Sequence, residues 1–210
     1  MPPVVTILTL DAALDGCSAG VVRDGVVVAE RRAAGGRGSS AALPALASDV
    51  LRLAGVLASG LAGIAVTVGP GSFTGVRAAL ALAHGIALGG GVPVWGVTVG
   101  AALRADTPDA RPIWVAIDSK RGRVFLDRAG LVATVALDSL PEPAGRIAIA
   151  GDAAIAAASR LAAKGFDVKL LAARLPTAAG IAKAGQVAAL PLYVDPPEAR
   201  PGPTGRPAPA

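Results

Sequence analysis

One cysteine, one histidine and very few aromatic residues occur in this chain, and each shortage closes off a class of function. A lone cysteine, Cys17, forms no internal disulfide, so no disulfide framework holds the fold. With His84 as the only histidine, the chain lacks the clustered His and Cys ligands of a transition-metal site, and we expect none. A Cys17–His84 nucleophilic pair would join the first residue of an apolar, strand-like run to the middle of a helical one, where a packed histidine is the ordinary reading. Aromatic residues make up 3% of the chain against 53% hydrophobic, so Ala, Val and Leu carry the apolar surface. Those residues build packed α/β interiors, not base-stacking platforms. No N-terminal stretch runs from basic to apolar to a cleavage site, which gives the expectation of a cytoplasmic protein. From Ala78 to Leu103 no charge occurs if His84 is neutral, but Gly89-Gly90-Gly91 and Pro93 interrupt the run. A membrane span needs roughly 20 consecutive apolar residues, so this stretch reads as buried helix, turn and buried strand.

The net charge of +5 is spread thinly, with two small clusters: Arg31, Arg32 and Arg37, and Lys120, Arg121, Arg123 and Arg128. Solvated turns and strand edges account for them better than a nucleic-acid surface, because no aromatic residue interleaves with the arginines.

Val4 to Leu10 reads as a strand closed by Asp11, followed by a turn through Gly16, a strand from Cys17 to Val22, an Asp24-Gly25 turn and a third strand from Val26 to Glu30. A helix follows, capped by Ser39 or Ser40, with Leu43, Leu46, Val50, Leu53 and Leu57 at helical spacing and Pro44 in its first turn. Then come a strand (61–68), a helix (74–88), a strand (92–97) and a helix (98–105). The second half repeats the opening: "IWVAIDSKRGRVFLDRAGLVATV" sets a strand closed by Asp118, a turn, a strand, a turn and a strand. A strand at 146–150 and helices at 152–164 and 177–189 complete it. A whole meander recurring after roughly 100 residues marks a duplicated architecture. The expected organisation is α/β, with a lobe over 1–106, a smaller lobe over 107–194 and a proline-rich, disordered tail over 195–210.

Two lobes, each a mixed sheet headed by a three-strand meander, resemble the actin-like (ASKHA, RNase H-like) architecture, whose first turns clasp nucleotide phosphates. A nucleotide-dependent ATPase or kinase is therefore one reading, with Asp11 and Asp118 as its nucleotide-binding carboxylates. The turns argue against it. "AALDG" after Asp11 holds one glycine and an extra acid, and "SKRG" after Asp118 is no better a cradle. "TVGPGSFTGVRAAL", from Thr67 to Leu80, leads from strand to helix as phosphate-binding turns do. Arg77 and Ala78 stand where a P-loop continues with Lys and Ser or Thr, and Ser72 lacks the glycine two places on that a nucleophile elbow needs. Along the helix, Gly75, Ala79, Ala83 and Ala87 form a stripe of small residues, with Ala78, Leu82 and Ile86 on the neighbouring stripe. Packing on the lobe's own sheet uses one stripe and leaves the other for a second protein surface. Ser72 or Thr74 caps this helix.

"GPGSFTGVR", the alanine-rich helix and "ALGGGVPVWGV" resemble the signature of the TsaB (YeaZ-type) family, the dimerisation subunit of the tRNA threonylcarbamoyladenosine (t6A) machinery. The likeness continues through "LTLDAALDGCSAGVVRDG", "AIDSKRGRVFL" and "PLYVDPPEARP". The resemblance implies a noncatalytic relative of the catalytic subunit TsaD, needed for t6A modification of tRNA and paired with TsaD, with the ATPase TsaE joining at their junction. It implies tRNA contact indirectly, through the complex, with direct contact left open, no catalytic residue and no membrane. It leaves a homodimer, and ATP at the junction, open. It places the partner surface on Gly69, Gly71, Ser72, Phe73, Thr74, Gly75, Val76, Arg77, Ala79, Leu82, Ala83 and Ile86. Many members carry a histidine near the start of the first long helix, where this chain has Gly38, Ser39 and Ser40.

Overall fold

In the computed structural model, which describes residues 4–36, 38–119 and 122–194, both aspartates close their strands. Thr6–Asp11 (β1) pairs antiparallel with Cys17–Arg23 (β2), Asp11 opposite Ser18, and β2 pairs with Val26–Ala33 (β3). The β2–β3 link carries positive φ at Asp24 (49°) and Gly25 (79°), the two-residue turn whose twist matches a hairpin. Gly63–Gly69 (β4) lies parallel to β1, and Val94–Thr98 (β5) parallel to β4. β4 is buried along its whole length, as a parallel strand covered on both faces must be.

The second sheet repeats the plan. Ile113–Asp118 (β6), Arg123–Arg128 (β7) and Leu131–Ala136 (β8) form the meander, and Ile147–Ala150 (β9) and Val168–Leu170 (β10) add parallel strands beside β6. The orders β3-β2-β1-β4-β5 and β8-β7-β6-β9-β10 are the same plan twice. The α/β duplication read from the sequence is therefore the fold. Among the described residues five α-helices cover the sheets: Leu43–Ala54 (α1), Phe73–Gly90 (α2), Val99–Asp106 (α3), Ala154–Ala163 (α4) and Ala178–Lys183 (α5). The largest buried cluster runs from Leu8, Leu10 and Val66 of the first sheet to Val115, Ile117 and Ala150 of the second, so the lobes share a core.

Several expectations need correction. Ser39 and Ser40 do not cap α1. They form a short 3-10 turn, and α1 starts at Leu43 behind Ala42, which offers no side-chain cap. Gly55, in the left-handed conformation, ends α1 before Leu57, which is exposed. The helix expected over 177–189 stops at Lys183, because the chain beyond it is drawn into the edge of the first sheet. Gly96 and Val187 exchange two backbone hydrogen bonds, and Leu192 N donates to Val68 O. Strand β10 was not expected from its three residues. Finally, 107–194 is not one lobe. Arg32 reaches Pro176 O, Ala178 N donates to Glu30 Oε1, Thr177 bonds Asp106, and α5 packs on α3 and β2, so the chain from Ala178 to Val194 returns to the first lobe. The tail over 195–210 lies outside the described residues.

Candidate functional site

The β1–β2 turn, the β4–α2 turn and the first turn of α2 meet at one place. In a phosphate-binding turn the backbone N–H groups face outward to an anion. Here two of them, Ser72 N and Gly75 N, face the chain itself. Ser72 N donates to Ala13 O at 2.6 Å, and the Ser72 hydroxyl accepts from Gly75 N at 3.1 Å, so Ser72 rather than Thr74 caps α2. The glycines of the motif serve this contact. A Cβ at Gly71 would lie 2.0 Å from Ala13 O, and one at Gly75 would lie 1.9 Å from Ala12 O. Ala12 and Ala13 are buried, and their carbonyl oxygens line the start of α2, which is the wrong sign for a phosphate.

Asp11 belongs to the same plug. Its Oδ1 accepts from the Thr67 hydroxyl at 2.6 Å and from Ala13 N at 3.1 Å, and the carboxyl is 2% exposed. Burial holds the Asp11 carboxyl above the ordinary aspartate range, against the opposing pull of Thr67, Ala13 N and the Arg32 charge. Asp118, at the matching place in the second lobe, is half-buried, and its backbone N donates to Asp152 Oδ1 at 2.8 Å. Neither aspartate joins a cluster of three or more His, Cys, Asp or Glu residues among the described residues. Cys17 is buried in β2 with Sγ donating to Ser39 O, and burial pushes its thiol up, away from the reactive thiolate. His84 sits on the exposed side of α2, with Nε2 3.5 Å from Ala189 O.

Of the two apolar stripes on helix α2, the small-residue one faces inward. Gly75, Val76, Ala79, Ala83 and Ala87 are buried against the chain's own sheet, because small side chains let the helix close on β4 and on the Ala12 and Ala13 carbonyls. Of the residues assigned to a partner, Ser72, Phe73, Thr74 and Arg77 are exposed, Gly71, Leu82 and Ile86 are half-buried, and Gly69, Gly75, Val76, Ala79 and Ala83 are not at the surface. The outward stripe is Arg77, Ala81, Gly85 and Gly89, again four apart and mostly small, with Leu88 beside it 88% exposed. Ala81, Gly85 and Leu88 were legible as a third stripe of the same periodicity. Sequence spacing alone does not say which stripe the sheet takes. By length and composition α2 could cross a membrane, but its buried face is part of the core of a sheet-containing lobe.

At the N-terminal end of this face, Arg77 stacks over the Phe73 ring at 3.7 Å and donates from Nε and Nη2 to Tyr193 Oη at 3.0 and 2.7 Å. The Phe73 and Tyr193 rings are 6.0 Å apart. Among the arginine clusters, Arg32 bonds Pro176 O, Arg123 bonds Thr134 O and Arg128 lies over Trp114, while Arg37, Lys120 and Arg121 lie outside the described residues. A concavity of about 710 Å³ opens between α3, the β7–β8 turn and the returning chain, and the Arg104–Asp127 ion pair, 3.0 Å long, lines it and joins the two lobes.

The family model for TsaD, tRNA N6-adenosine threonylcarbamoyltransferase, matches residues 32–169. The chain is 32% identical over 122 residues to the tRNA threonylcarbamoyladenosine biosynthesis protein TsaB of Escherichia coli, a match covering 57% of this chain and 52% of that protein. The chain thus spans about half the length of that relative. It is 31% identical to an uncharacterized protein of Mycobacterium bovis, over 94% of this chain and 95% of that one. Among solved structures it resembles YeaZ from Pseudomonas aeruginosa with a TM-score of 0.74 and 27% identity, over 90% and 99% of the two chains. The ethanolamine utilization protein EutJ from Carboxydothermus hydrogenoformans, with a TM-score of 0.52, 16% identity and coverage of 88% and 91%, shares the fold alone.

Proposed function

The chain belongs to the TsaB/YeaZ family, and on that premise we propose that it is a noncatalytic subunit of tRNA threonylcarbamoyladenosine biosynthesis, working in the cytoplasm paired with a TsaD-type subunit. The observation that carries the reading is the plugged turn. The place where an actin-like enzyme would receive phosphate is filled by this chain's own backbone, with Ser72 N on Ala13 O and Asp11 turned inward to Thr67. Asp11 is 2% exposed, so its carboxyl presents no open face to a metal–nucleotide. The competing reading, a nucleotide-dependent enzyme, needs that turn open. A TsaE-type ATPase at the junction of the pair, a homodimer and indirect contact with tRNA are parts of the same proposal. So is the exposed face of α2 as the pairing surface, centred on Ala81 and Gly85 in place of Ala79 and Ala83.

One solved relative from Pseudomonas aeruginosa is described as similar to a peptidase. In this chain the buried Cys17 and the serine that caps α2 supply no nucleophile beside a base.

Reconstituted tRNA modification tests the proposal. With each variant at equal concentration, Asp11→Asn keeps both hydrogen bonds and should retain modification, whereas Ala81→Arg should lose modification in step with lost complex. Loss of modification in Asp11→Asn with the complex intact would mean that this chain does nucleotide chemistry.

A further inference from the structure

The outward face of α2 and the returning segment from Val187 to Val194 are continuous. Beyond the Gly96–Val187 bridge the segment runs past Ala189 O, near His84, to Tyr193, which is fastened to Arg77. Phe73, Leu88, Leu190 and Tyr193 all stand more than half exposed along it. Neither α2 nor 187–194 contains an acidic residue, and Arg77 has no acidic partner among the described residues. An otherwise apolar surface therefore carries one fixed positive charge, held in place by a ring stacked on its face and by two hydrogen bonds to a phenol oxygen. An arginine on a free surface keeps its rotamer freedom and gives it up when a partner orders it. This one is already ordered, and tyrosine, arginine and a second aromatic ring are the residue types that dominate interface energies.

Resting on the pairing reading above, we infer that the Phe73–Arg77–Tyr193 stack is a preorganised cationic anchor for a carboxylate of the partner subunit, and that the segment around Leu190 and Tyr193 is part of the docking surface. The occupant is a TsaD-type subunit. Helix α2 falls inside the stretch that matches the TsaD family model, so that subunit has a helix at the corresponding place to lay against α2. The complement required of it is a small-residue helix face with one Asp or Glu opposite Arg77.

The test is binding of the TsaD-type subunit encoded by the same genome to full-length wild-type, Arg77→Gln, Arg77→Lys, Tyr193→Phe and Ala81→Arg chains, at low and at high salt. Arg77→Gln should weaken binding roughly tenfold at low salt and abolish most of its salt dependence. Arg77→Lys should restore the salt dependence but not the affinity, because an ammonium cannot stack and bond as the guanidinium does. Tyr193→Phe should fall between wild type and Arg77→Gln, since it keeps the ring and frees the guanidinium. If Ala81→Arg abolishes binding and the Arg77 and Tyr193 variants stay within about twofold of wild type, α2 pairs as proposed and the anchor does not exist. If Ala81→Arg also binds normally, the pairing reading falls and the anchor with it. If the Arg77 variants alter self-association by sedimentation and leave the mixed complex unchanged, the surface serves a second copy and the inference is overturned.

Discussion

Replacing Gly75 by alanine separates a glycine needed for packing from one needed for phosphate. Gly75 lies in helical backbone, so alanine brings no dihedral strain there and improves helix propensity by about 1 kcal/mol. Against that gain stands a new Cβ at 1.9 Å from Ala12 O and 3.1 Å from Ala12 C, both backbone atoms of a buried turn. To reach ordinary contact the turn and the helix must separate by about 1.5 Å, overpacking of the kind that costs about 1–3 kcal/mol. The same movement breaks the Ser72 N to Ala13 O hydrogen bond, worth about 1 kcal/mol. The net is a loss of about 2 kcal/mol, or about 4–8 °C in Tm for a chain of this size. Gly85→Ala is the matched control. It lies on the same helix, is exposed and has nothing within 4 Å of the added methyl, so it should gain about 0.5–1 kcal/mol. Calorimetry or urea denaturation of both variants reads the difference. A Gly75→Ala chain that melts at or above the wild-type temperature would refute the plugged-turn account, and a destabilised Gly85→Ala would refute the assignment of the outward face.

Ala79→Glu should unfold the chain, because Ala79 is fully buried and an unpaired carboxylate there costs several kcal/mol, whereas Ala81→Arg should leave the circular dichroism melt unchanged. For Asp11 the sign follows from burial: its folded carboxyl titrates above the unfolded value of about 3.9, so its contribution is fullest in acid and is lost as pH rises through the folded pKa. Asp11→Asn should therefore gain stability relative to wild type between acid and neutral pH in urea midpoints, and a constant difference across that range would contradict it. Asp127→Asn should cost about 3–5 kcal/mol, because it leaves the Arg104 guanidinium, whose Nη1 is already buried without a partner, uncompensated between the lobes. A loss under about 1 kcal/mol by denaturation would show that pair to be solvent-like.

The two meanders and their closing aspartates were written in local pattern. Alternation, Asp-Gly turns and apolar runs are properties of a few neighbouring residues, and a duplication repeats them at a fixed distance. Also legible was the specificity of the segment from Gly69 to Arg77, since two glycines and a capping serine between strand and helix have few uses. What those glycines are for was not. Gly71 and Gly75 are demanded by the carbonyls of Ala12 and Ala13, which lie close in space and about 60 residues away in sequence. The two stripes of small residues on α2 are equivalent in sequence. Only the approach of β4 and the β1–β2 turn turned Gly75, Ala79 and Ala83 inward and left Ala81 and Gly85 outside. Thr67, a single polar residue in an apolar strand, hinted at a buried partner, yet which carboxylate it bonds was set by the β1–β4 pairing. The helix expected after Thr177 ended early for the same reason: its propensity is local, but the backbone groups of Gly96 at the sheet edge offered residues near Val187 a non-local partner. Sequence determined most of the helices and hairpins, because their hydrogen bonds close between near neighbours in the chain. Tertiary structure decided which faces are spent on the core and which remain for a partner, because burial depends on what lies opposite, and that is not a property of the element itself.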